Sequence, residues 1–552
     1  MVEYKEPVEE APCKTACPVG IDVPRYVRLI AEGKFDDALA VVREKLPFPS
    51  VCGRVCFHPC EDKCHGNYLD GPIAICGLKR FIAERPEAVV KEPSSAKSTG
   101  KSVAVVGSGP AGLTAAYYLT KLGHAVTVFE ALPEPGGMMR FGIPDYRLPK
   151  DILTTEVNGI KNAGVNIRTN FKIESPTKLL EQGYNAVFIA IGAGKGTRMG
   201  VEGEDVPVVK SGLSLMRDLN LGKKVSLGDK VMVIGGGNAA IDTARCALRL
   251  GSKEVTILYR RSRDEMPASP AEVDHALAEG VNIQFLAAPT KITMTDGKVR
   301  MECIRMKLGE VDASGRRRPE PISGSEFTMD ADTVVSAIGQ VPELPADFGL
   351  ATAEGDVIQA DADTLATSKA GIFAGGDAVA GAATVIDAIT AGRKAAISID
   401  KYLGGEGEID VALAPPEAKP VQTELQGFPV GDRTQMPSLS IDERLKNFSP
   451  VELGFDEEQA IKEAKRCLRC DLPITIDVEN CTGCLTCVMR CSLRFEESFS
   501  PAAARVKVIP LVGEINEIFF NDECDTCGIC ARYCPHDALY RGERRPEEIK
   551  WK

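Results

Sequence analysis

The sequence has little of three features that would indicate a membrane, exported or nucleic-acid-binding protein. It contains no run of about 18 consecutive apolar residues, so it predicts no membrane-spanning helix. Its first residues, MVEYKEPVEE, lack the basic and apolar regions of a signal peptide, and we therefore expect a cytoplasmic protein. Positive charge is not in excess, because the formal net charge of the 552 residues is -12, and this balance disfavours nucleic-acid binding.

Cysteine is scarce in the middle of the chain and abundant at both ends. Of 19 cysteines, seven lie within residues 13–76 and ten within residues 467–534, and only Cys246 and Cys303 lie between these groups. Thiols stay reduced in the cytoplasm, so the two groups indicate metal ligation or redox chemistry rather than disulfide bonds. Cys246 and Cys303 are expected to be ordinary buried residues.

The C-terminal cysteines form two runs with the spacing of a bacterial two-cluster ferredoxin. Residues 481–491 read CTGCLTCVMRC and residues 524–535 read CDTCGICARYCP, and both fit C-x2-C-x2-C-x3-C. A zinc site is the alternative, but it needs only two C-x2-C pairs. Because the fourth cysteine of each run binds the cluster of the other, the predicted sites are Cys481, Cys484, Cys487 with Cys534, and Cys524, Cys527, Cys530 with Cys491.

The first of two dinucleotide-binding units occupies residues 103–130, VAVVGSGPAGLTAAYYLTKLGHAVTVFE. The pattern predicts a strand, a glycine turn, a helix and a second strand that ends on an acid. Gly107 permits the tight turn, Gly109 lets the backbone approach a pyrophosphate, and Gly112 allows close packing of the helix. Glu130 can accept a hydrogen bond from a ribose hydroxyl, so this unit is suited to FAD.

A second unit, VMVIGGGNAAIDTARCALRLGSKEVTILYRRSR, follows at residues 231–263. Gly235 and Gly237 repeat the first two glycine positions, and an alanine replaces the third. Its second strand ends on Arg260 and Arg261 instead of an acid. Guanidinium groups match a phosphate, so this site is predicted to prefer NADPH to NADH. Arginines that only face water are the alternative.

We expect the second unit to be inserted into the first, with the flavin domain resuming after about residue 335. Residues 333–343, TVVSAIGQVPE, predict a strand and a glycine turn. A later strand ends at Asp377, and a helix begins near Thr384. Asp377 can bind the ribityl chain of a flavin, and the first amides of the helix can face the isoalloxazine ring.

Four segments of the middle of the chain together resemble one known family. They are GSGPAG, PGGMMRFGIPDYRLPKDIL, GGGNAAID and AGGDAVAGAATVIDAITAGR. The family is that of the NADPH-dependent glutamate synthase small subunit, shared with the N-terminal module of dihydropyrimidine dehydrogenase and the large subunit of the bifurcating NADH-dependent ferredoxin:NADP oxidoreductase. The resemblance implies FAD contacts at Gly107, Gly109, Gly112, Glu130, Gly137, Arg147, Asp377 and Thr384. It implies NADPH contacts at Gly235, Gly237, Asn238, Ala239, Arg260, Arg261 and Gly339.

The N-terminal cysteines flank a segment of helical periodicity, which predicts a small α-helical iron-sulfur domain. In the resembled family, a segment like RCLKC comes immediately before one like PCxxxCP, and together they supply two cubane clusters. Here PCKTACP begins at residue 12, whereas RCLRC stands at residues 466–470. The resemblance therefore implies one site of Cys13, Cys64, Cys467 and Cys470, and a second of Cys17, Cys56, Cys60 and one further ligand.

The last ligand of the second site stays open between Cys52 and Cys76. Relatives can use a Gln or Glu there, but the matching position is Lys79, whose ammonium group has no lone pair. For Cys467 and Cys470, a local zinc site or two free thiols is the alternative. The nearby residues His58 and His65 are expected to donate hydrogen bonds rather than to bind metal.

These features predict an α/β flavoprotein with two Rossmann-like domains, an α-helical iron-sulfur domain and a bacterial-ferredoxin-like α+β domain. The predicted boundaries are 1–99 for the helical domain, 100–220 and 333–404 for the FAD domain, 221–332 for the NADPH domain, 405–465 for a linker, and 466–552 for the return segment with the ferredoxin domain.

The predicted function is an NADPH-dependent oxidoreductase that passes electrons through FAD to four [4Fe-4S] clusters. No redox dithiol lies near the flavin motifs, which disfavours a disulfide reductase, and no side chain stands out as a catalytic acid or base. We expect a hetero-oligomer in which a second redox subunit or a ferredoxin-like carrier accepts the electrons, and the architecture resembles the β subunit of soluble NADPH-dependent ferric reductases. An electron-bifurcating subunit and a relay subunit that does not oxidise nicotinamide stay open as alternatives.

Overall fold

The computed structural model describes residues 3–5, 10–86, 96–295, 298–416, 431–511 and 515–542. The chain forms two compact units. The terminal unit contains both ends of the chain, in residues 1–93, 410–437 and 454–552. The central unit contains residues 94–409 and 438–453.

The helices of the described residues are numbered in chain order. They are α1 (Pro12–Thr15), α2 (Val23–Ala31), α3 (Phe35–Arg43), α4 (Pro49–Val55), α5 (Pro59–Asp62), α6 (Ile75–Ala83), α7 (Pro110–Lys121), α8 (Met138–Phe141), α9 (Lys150–Asn162), α10 (Pro176–Glu181), α11 (Gly212–Asn220), α12 (Asn238–Arg249), α13 (Pro270–Ala278), α14 (Asp377–Ala380), α15 (Val385–Tyr402), α16 (Ile441–Arg444), α17 (Glu457–Ala464), α18 (Thr486–Glu496) and α19 (Ile529–Arg532).

The strands of the described residues are numbered in the same way. They are β1 (Glu3–Lys5), β2 (Ser102–Val106), β3 (Ala125–Phe129), β4 (Asn166–Arg168), β5 (Ala186–Ile189), β6 (Lys195–Gly196), β7 (Val209–Ser211), β8 (Lys230–Ile234), β9 (Glu254–Tyr259), β10 (Asn282–Phe285), β11 (Ala287–Thr295), β12 (Lys298–Val311), β13 (Arg317–Pro321), β14 (Phe327–Ala331), β15 (Thr333–Ser336), β16 (Gln340–Val341), β17 (Ile372–Ala374), β18 (Ile474–Ile476), β19 (Val506–Ile509), β20 (Glu517–Phe520) and β21 (Leu539–Arg541).

Two parallel five-stranded sheets organise the central unit. The first sheet has the order β17-β5-β2-β3-β4 and the second has the order β10-β9-β8-β15-β7. The inner strands are continuous apolar runs, as expected for parallel strands with both faces covered. The chain leaves the first sheet after β5 and returns to it at β17, so the second sheet is inserted into the first as predicted.

Two strands join a different sheet from the one that we predicted. β15 pairs in parallel with β8 and β7, so it belongs to the second sheet, although residues 333–343 were predicted to resume the flavin domain. β7 also belongs to the second sheet, although it lies inside the range 100–220. A short apolar run identifies a buried strand, but its pattern does not tell which sheet the strand joins.

The terminal unit packs helices α1 to α6 with the C-terminal part of the chain. The predicted helix in the charged run after residue 456 is α17, which packs on α2 and α6. The fully buried carboxylate of Glu463 in α17 accepts from the amides of Ala74, at 2.9 Å, and Thr434, at 2.8 Å. Arg466 forms an ion pair with Glu463 at 2.7 Å. These contacts fix the return segment on the N-terminal helices.

The predicted linker at 405–465 is divided between the two units. Residues 438–453, which include α16, belong to the central unit, whereas α17 belongs to the terminal unit. Residues 417–430 of this range lie outside the described residues. Proline and polar residues indicated a crossing segment, but they did not predict which unit its parts would pack on.

Among the described helices, we found none with the length and the apolar character that crossing a lipid bilayer requires.

Candidate cofactor sites

A cavity of about 470 Å³ lies at the carboxyl ends of the strands of the first sheet. This edge is where open parallel sheets bind their ligands. No cysteine is among the described residues that line the cavity, in agreement with the prediction that no redox dithiol is present there. The lining includes the predicted FAD positions Gly107, Gly109, Glu130, Gly137, Asp377 and Thr384.

The three glycines of the first turn differ in the space around them. Gly107 has a φ of +104°, and a Cβ there would lie 2.4 Å from the carbonyl oxygen of Ala190. A Cβ at Gly112 would lie 2.1 Å from the carbonyl oxygen of Gly107, so this glycine allows α7 to pack closely and does not line the cavity. A Cβ at Gly109 would meet nothing within 4 Å, which leaves the start of α7 open to a ligand.

Two acidic side chains of the cavity can accept hydrogen bonds from a flavin nucleotide. Glu130 is buried and accepts from the backbone amides of Ser108, at 3.0 Å, and Leu132, at 2.8 Å. Burial raises the pKa of Asp377 to about 6, although the amide of Ala383 donates to its carboxylate. Both carboxylates are therefore held in place by the backbone at the cavity wall.

Arg147, a predicted FAD contact, is not among the residues that line this cavity. One of its guanidinium nitrogens lies 2.7 Å from the carboxylate of Asp242 in α12, and another lies 3.4 Å from that of Glu272. The hydroxyl of Tyr146 also donates to Asp242, at 3.0 Å. Arg147 thus fixes its own loop on α12, and its contact with FAD stays a prediction.

The predicted nicotinamide site lies at the carboxyl edge of the second sheet. Gly235 has a φ of +140°, and a Cβ there would lie 2.3 Å from the carbonyl oxygen of Ala337. At Gly237, the nearest atom to a Cβ would be 3.9 Å away, so the turn before α12 is open. Asn238 and Ala239 begin α12, and Gly339 follows the neighbouring strand β15 at the same edge.

The two predicted phosphate-binding arginines lie in different environments. Arg260 is exposed, and among the described residues it has no ion-pair partner. Arg261 is only 4% exposed. Its guanidinium group donates to the carbonyl oxygen of Arg317, at 2.7 Å, and to the carboxylate of Asp312, at 2.6 Å. Arg260 can therefore receive a phosphate, whereas Arg261 is already engaged by the β12–β13 hairpin.

The ferredoxin-like cysteines gather into the two predicted groups. Cys481, Cys484, Cys487 and Cys534 line one small cavity together with Val508, Ile518 and Leu539. In the other group, burial raises the pKa of Cys530 well above its usual value, and the thiols of Cys527, Cys491 and Cys524 add to this, as does that of Cys487 from the first group. The backbone amide of Arg505 donates to the sulfur of Cys491 at 3.1 Å, as amides do to cluster-bound thiolates.

The return segment brings Cys467 and Cys470 to the N-terminal cysteines. Both line one cavity with Cys13 and Cys64, among apolar side chains of α2 and the loop before α6. Burial, followed by the neighbouring Cys467 and Cys470, raises the pKa of Cys13 well above its usual value. The four cysteines that the resemblance implied as one site therefore line one cavity.

Three of the five C-x2-C loops, those that begin at Cys467, Cys481 and Cys524, share an unusual backbone conformation that the sequence did not reveal. Gly483, Thr526 and Arg469 each occupy the last position before the second cysteine of a pair, and their φ values are +70°, +54° and +51°. Positive φ is uncommon for residues other than glycine. The Cys467–Cys470 loop therefore has the same turn as the two ferredoxin-type loops, which supports its fit to a [4Fe-4S] cluster.

The remaining N-terminal cysteines lie around the start of α6. The thiols of Cys56 and Cys76 interact electrostatically with each other, and that of Cys60 interacts with those of Cys56 and Cys17. Cys52 is fully buried in α4. None of these cysteines is among the described residues that line the cavity at Cys13 and Cys64, so the terminal unit has a second group of thiols where a cluster can bind.

Four other side chains were singled out in the sequence, two cysteines of the central unit and two histidines beside the N-terminal thiols. Cys246 packs with Tyr146, and Cys303, which lies in β12, packs among buried apolar side chains. His65 lies with its Nδ1 3.4 Å from the sulfur of Cys470, and burial lowers the pKa of this histidine. His58 precedes α5 with a φ of +60°. Its ring lies close to the carboxylate of Glu61 and the thiol of Cys76, with ligand atoms within 4.8 Å of one another, so the expectation that it does not bind metal stays a prediction.

Comparison with protein families finds three matches along the chain. The family described as pyridine nucleotide-disulphide oxidoreductase matches residues 101–396. The family described as dihydropyrimidine dehydrogenase domain II, 4Fe-4S cluster, matches residues 7–89. The 4Fe-4S binding domain family matches residues 517–540.

Three curated proteins are similar over most of the chain. The NADP(+)-dependent formate dehydrogenase subunit beta of Moorella thermoacetica is 44% identical, covering 85% of this chain and 71% of that protein. The NADPH-Fe(3+) oxidoreductase subunit beta of Geobacter sulfurreducens is 41% identical, covering 83% and 75%. The glutamate synthase [NADPH] small chain of Azospirillum brasilense is 35% identical, covering 73% and 88%.

Proposed function

Because the chain belongs to the pyridine nucleotide-disulphide oxidoreductase family and has 4Fe-4S domains at both ends, we propose that it is the electron-input subunit of a larger redox enzyme. Electrons enter from NADPH, pass through FAD to four [4Fe-4S] clusters, and leave to a partner subunit. The three curated relatives are themselves called beta subunits or small chains, and two of their names include NADPH.

At the entry end, the residues favour the 2′-phosphorylated nicotinamide nucleotide. The open turn at Gly237 and the first amides of α12 can bind the pyrophosphate. The exposed guanidinium group of Arg260 can bind the 2′-phosphate, which NADH lacks. Arg261 supports this strand end through Asp312.

In the flavin cavity, the chain holds its ligand by the backbone at Gly109, by Glu130 and by Asp377. When bound, FAD links the hydride chemistry of nicotinamide to one-electron transfer, and [4Fe-4S] clusters supply one-electron carriers. The capping box that Thr384 and Asp387 form fixes the start of α15 at the cavity wall.

At the exit end, the return segment connects the two iron-sulfur domains. The observation that supports the proposal most directly is that Cys467 and Cys470 line one cavity with Cys13 and Cys64. The sulfur of Cys470 also lies 3.9 Å from the carbonyl oxygen of Cys527 in the ferredoxin domain, which gives electrons a direct route through protein atoms. Cys484 is exposed, so its site is open to the approach of a partner.

Replacing Cys467 by alanine tests this proposal. The purified, iron-reconstituted variant should contain between about one and four iron atoms fewer per chain, because one cluster loses a ligand and is left as a [3Fe-4S] form or lost. NADPH should still bleach the flavin at the unchanged rate, whereas the ferredoxin-domain clusters should be reduced at least about tenfold more slowly, measured by freeze-quench electron paramagnetic resonance.

Cys303→Ala is the matched control, because Cys303 is a buried cysteine that packs among apolar side chains of the central unit. It should leave the iron content and both rates unchanged. If Cys467→Ala also keeps its full iron content and its rate of cluster reduction, the return segment is not part of the route and the proposal fails.

A further inference from the structure

Lys79 in α6 is a buried cation among the N-terminal thiols. Only 3% of the residue is exposed, and among the described residues it forms no ion pair with a carboxylate. The groups that interact with its charge are the thiols of Cys76, Cys56 and Cys52 and the phenol of Tyr26. An ammonium group without a counter-charge is costly in a protein interior, so its position indicates an anionic group at these thiols.

The geometry also distinguishes between the two candidates for the last ligand. The thiol of Cys76 interacts electrostatically with the thiols of Cys56 and Cys60. The thiol of Cys76 donates to the backbone carbonyl oxygen of Cys52, at 3.7 Å. At this point, α4 therefore contacts Cys76 through its main chain and not through the thiol of Cys52. Cys76 therefore joins the group of thiols directly.

Two contacts hold the start of α6 in this position. The backbone amide of Cys76 donates to the carboxylate of Glu61 at 2.9 Å. Helices α4 and α6 are in very close contact, since a Cβ at Gly53 would lie 2.7 Å from the Cα of Arg80. Cys76 and Lys79 are three residues apart, so they lie on the same face of α6, and that face is turned to the thiols.

We propose that Cys76, and not Cys52, completes a [4Fe-4S] site with Cys17, Cys56 and Cys60, and that the ammonium group of Lys79 raises the reduction potential of the cluster bound there. The inference rests on the proposed function only in taking this group of thiols to be an iron-sulfur site.

The charge of Lys79 acts on the one-electron reduction of the cluster. Four thiolates around an oxidised [4Fe-4S] core leave a net charge of about -2, and one added electron makes it about -3. A fixed positive charge in a medium of low dielectric constant stabilises the more negative state more strongly. Lys79 therefore favours the reduced cluster, and it makes the site a better electron acceptor.

A pair of cysteine variants tests the ligand assignment in the reconstituted full-length protein. Cys76→Ala should lose between about one and four iron atoms per chain, through a [3Fe-4S] form or through loss of the cluster. Cys52→Ala should keep its full iron content. The opposite result, with iron lost from Cys52→Ala and retained in Cys76→Ala, overturns the assignment. Retained FAD and ferredoxin-domain signals show that each variant is folded.

Lys79→Met tests the charge with a side chain of similar size. All clusters should be retained, and the reduction equilibrium of one of them should shift toward the oxidised form by about tenfold or more, which is about 59 mV for a one-electron couple. Lys79→Arg, which keeps the charge, should have midpoint potentials close to those of the unsubstituted protein. Unchanged midpoint potentials in Lys79→Met would refute the role of Lys79.

Dithionite titration with redox mediators measures these potentials without NADPH. A chain that failed to oxidise NADPH would still report its iron content and its cluster potentials. Failure of this inference and failure of the proposed function are therefore distinguishable.

Discussion

Replacing Arg260 by alanine should weaken the binding of NADPH and leave that of NADH unchanged. A hydrogen-bonded contact with a charged group contributes about 1.5–3 kcal/mol, which corresponds to about 10- to 150-fold in affinity. Arg260 is exposed, so water competes for its guanidinium group and we expect the lower end of this range. Arg260→Glu should have a larger effect, because a carboxylate repels the phosphate.

The assay is the anaerobic rate of flavin bleaching in a stopped-flow instrument, followed against the concentration of each nucleotide. Arg261→Ala is the control, since the side chain of Arg261 binds Asp312 and the carbonyl of Arg317. It should lower stability but keep the ratio of the NADPH and NADH affinities. If that ratio is unchanged in Arg260→Ala and lost in Arg261→Ala, the assignment of the two arginines is wrong.

Two further predictions concern the flavin domain. Burial raises the pKa of Asp377 to about 6. A hydroxyl of a bound flavin nucleotide would donate to the ionised carboxylate of Asp377 and stabilise that form. FAD affinity should therefore be constant above pH 6 and should fall as the pH drops through about 6. If Asp377→Asn shows the same pH dependence of FAD affinity, this prediction is wrong. Arg147→Met should lower the free energy of unfolding by about 3 kcal/mol, because it leaves Asp242 buried without its ion pair, and should not change FAD affinity. A weaker FAD affinity at unchanged stability would instead favour the contact with FAD that the family resemblance implies.

Local patterns in the sequence predicted the parts of the sites that depend on spacing. The turns at Gly107 and Gly235 were predictable, because a positive φ beside a carbonyl group admits only glycine. The grouping of Cys481 with Cys534 was predictable as well, since C-x2-C-x2-C-x3-C runs follow the geometry of a cubane cluster.

Properties that depend on distant parts of the chain were not predictable. The partners of Arg261 lie about fifty residues further on, in a hairpin whose position the sequence does not indicate. The sheet to which β15 belongs is set by tertiary packing rather than by its own pattern. Tertiary packing also places Cys76 near Cys56 and Cys60. In the sequence, the number of cysteines alone could not show whether Cys76 or Cys52 is the last ligand.

The positive φ of Arg469 was not predicted, for a different reason. Arginine disfavours a positive φ, so its residue type predicts the opposite conformation. The position of Arg469, directly before the second cysteine of its C-x2-C pair, was the informative feature. Gly483 occupies the equivalent position in a ferredoxin-type loop. A comparison of the C-x2-C loops within the chain could have found it.

An anaerobic optical titration of the iron-reconstituted protein with NADPH, and separately with NADH, tests the central claim most directly. FAD takes two electrons and each of the four proposed clusters takes one, so under this proposal the chain accepts up to about three equivalents of NADPH. We predict that NADPH bleaches the flavin and then the cluster absorbance, with an endpoint above one equivalent, and that NADH does so far less effectively. Bleaching of the flavin alone at one equivalent, or no bleaching by either nucleotide, would contradict the assignment of this chain as an NADPH-dependent electron-input subunit.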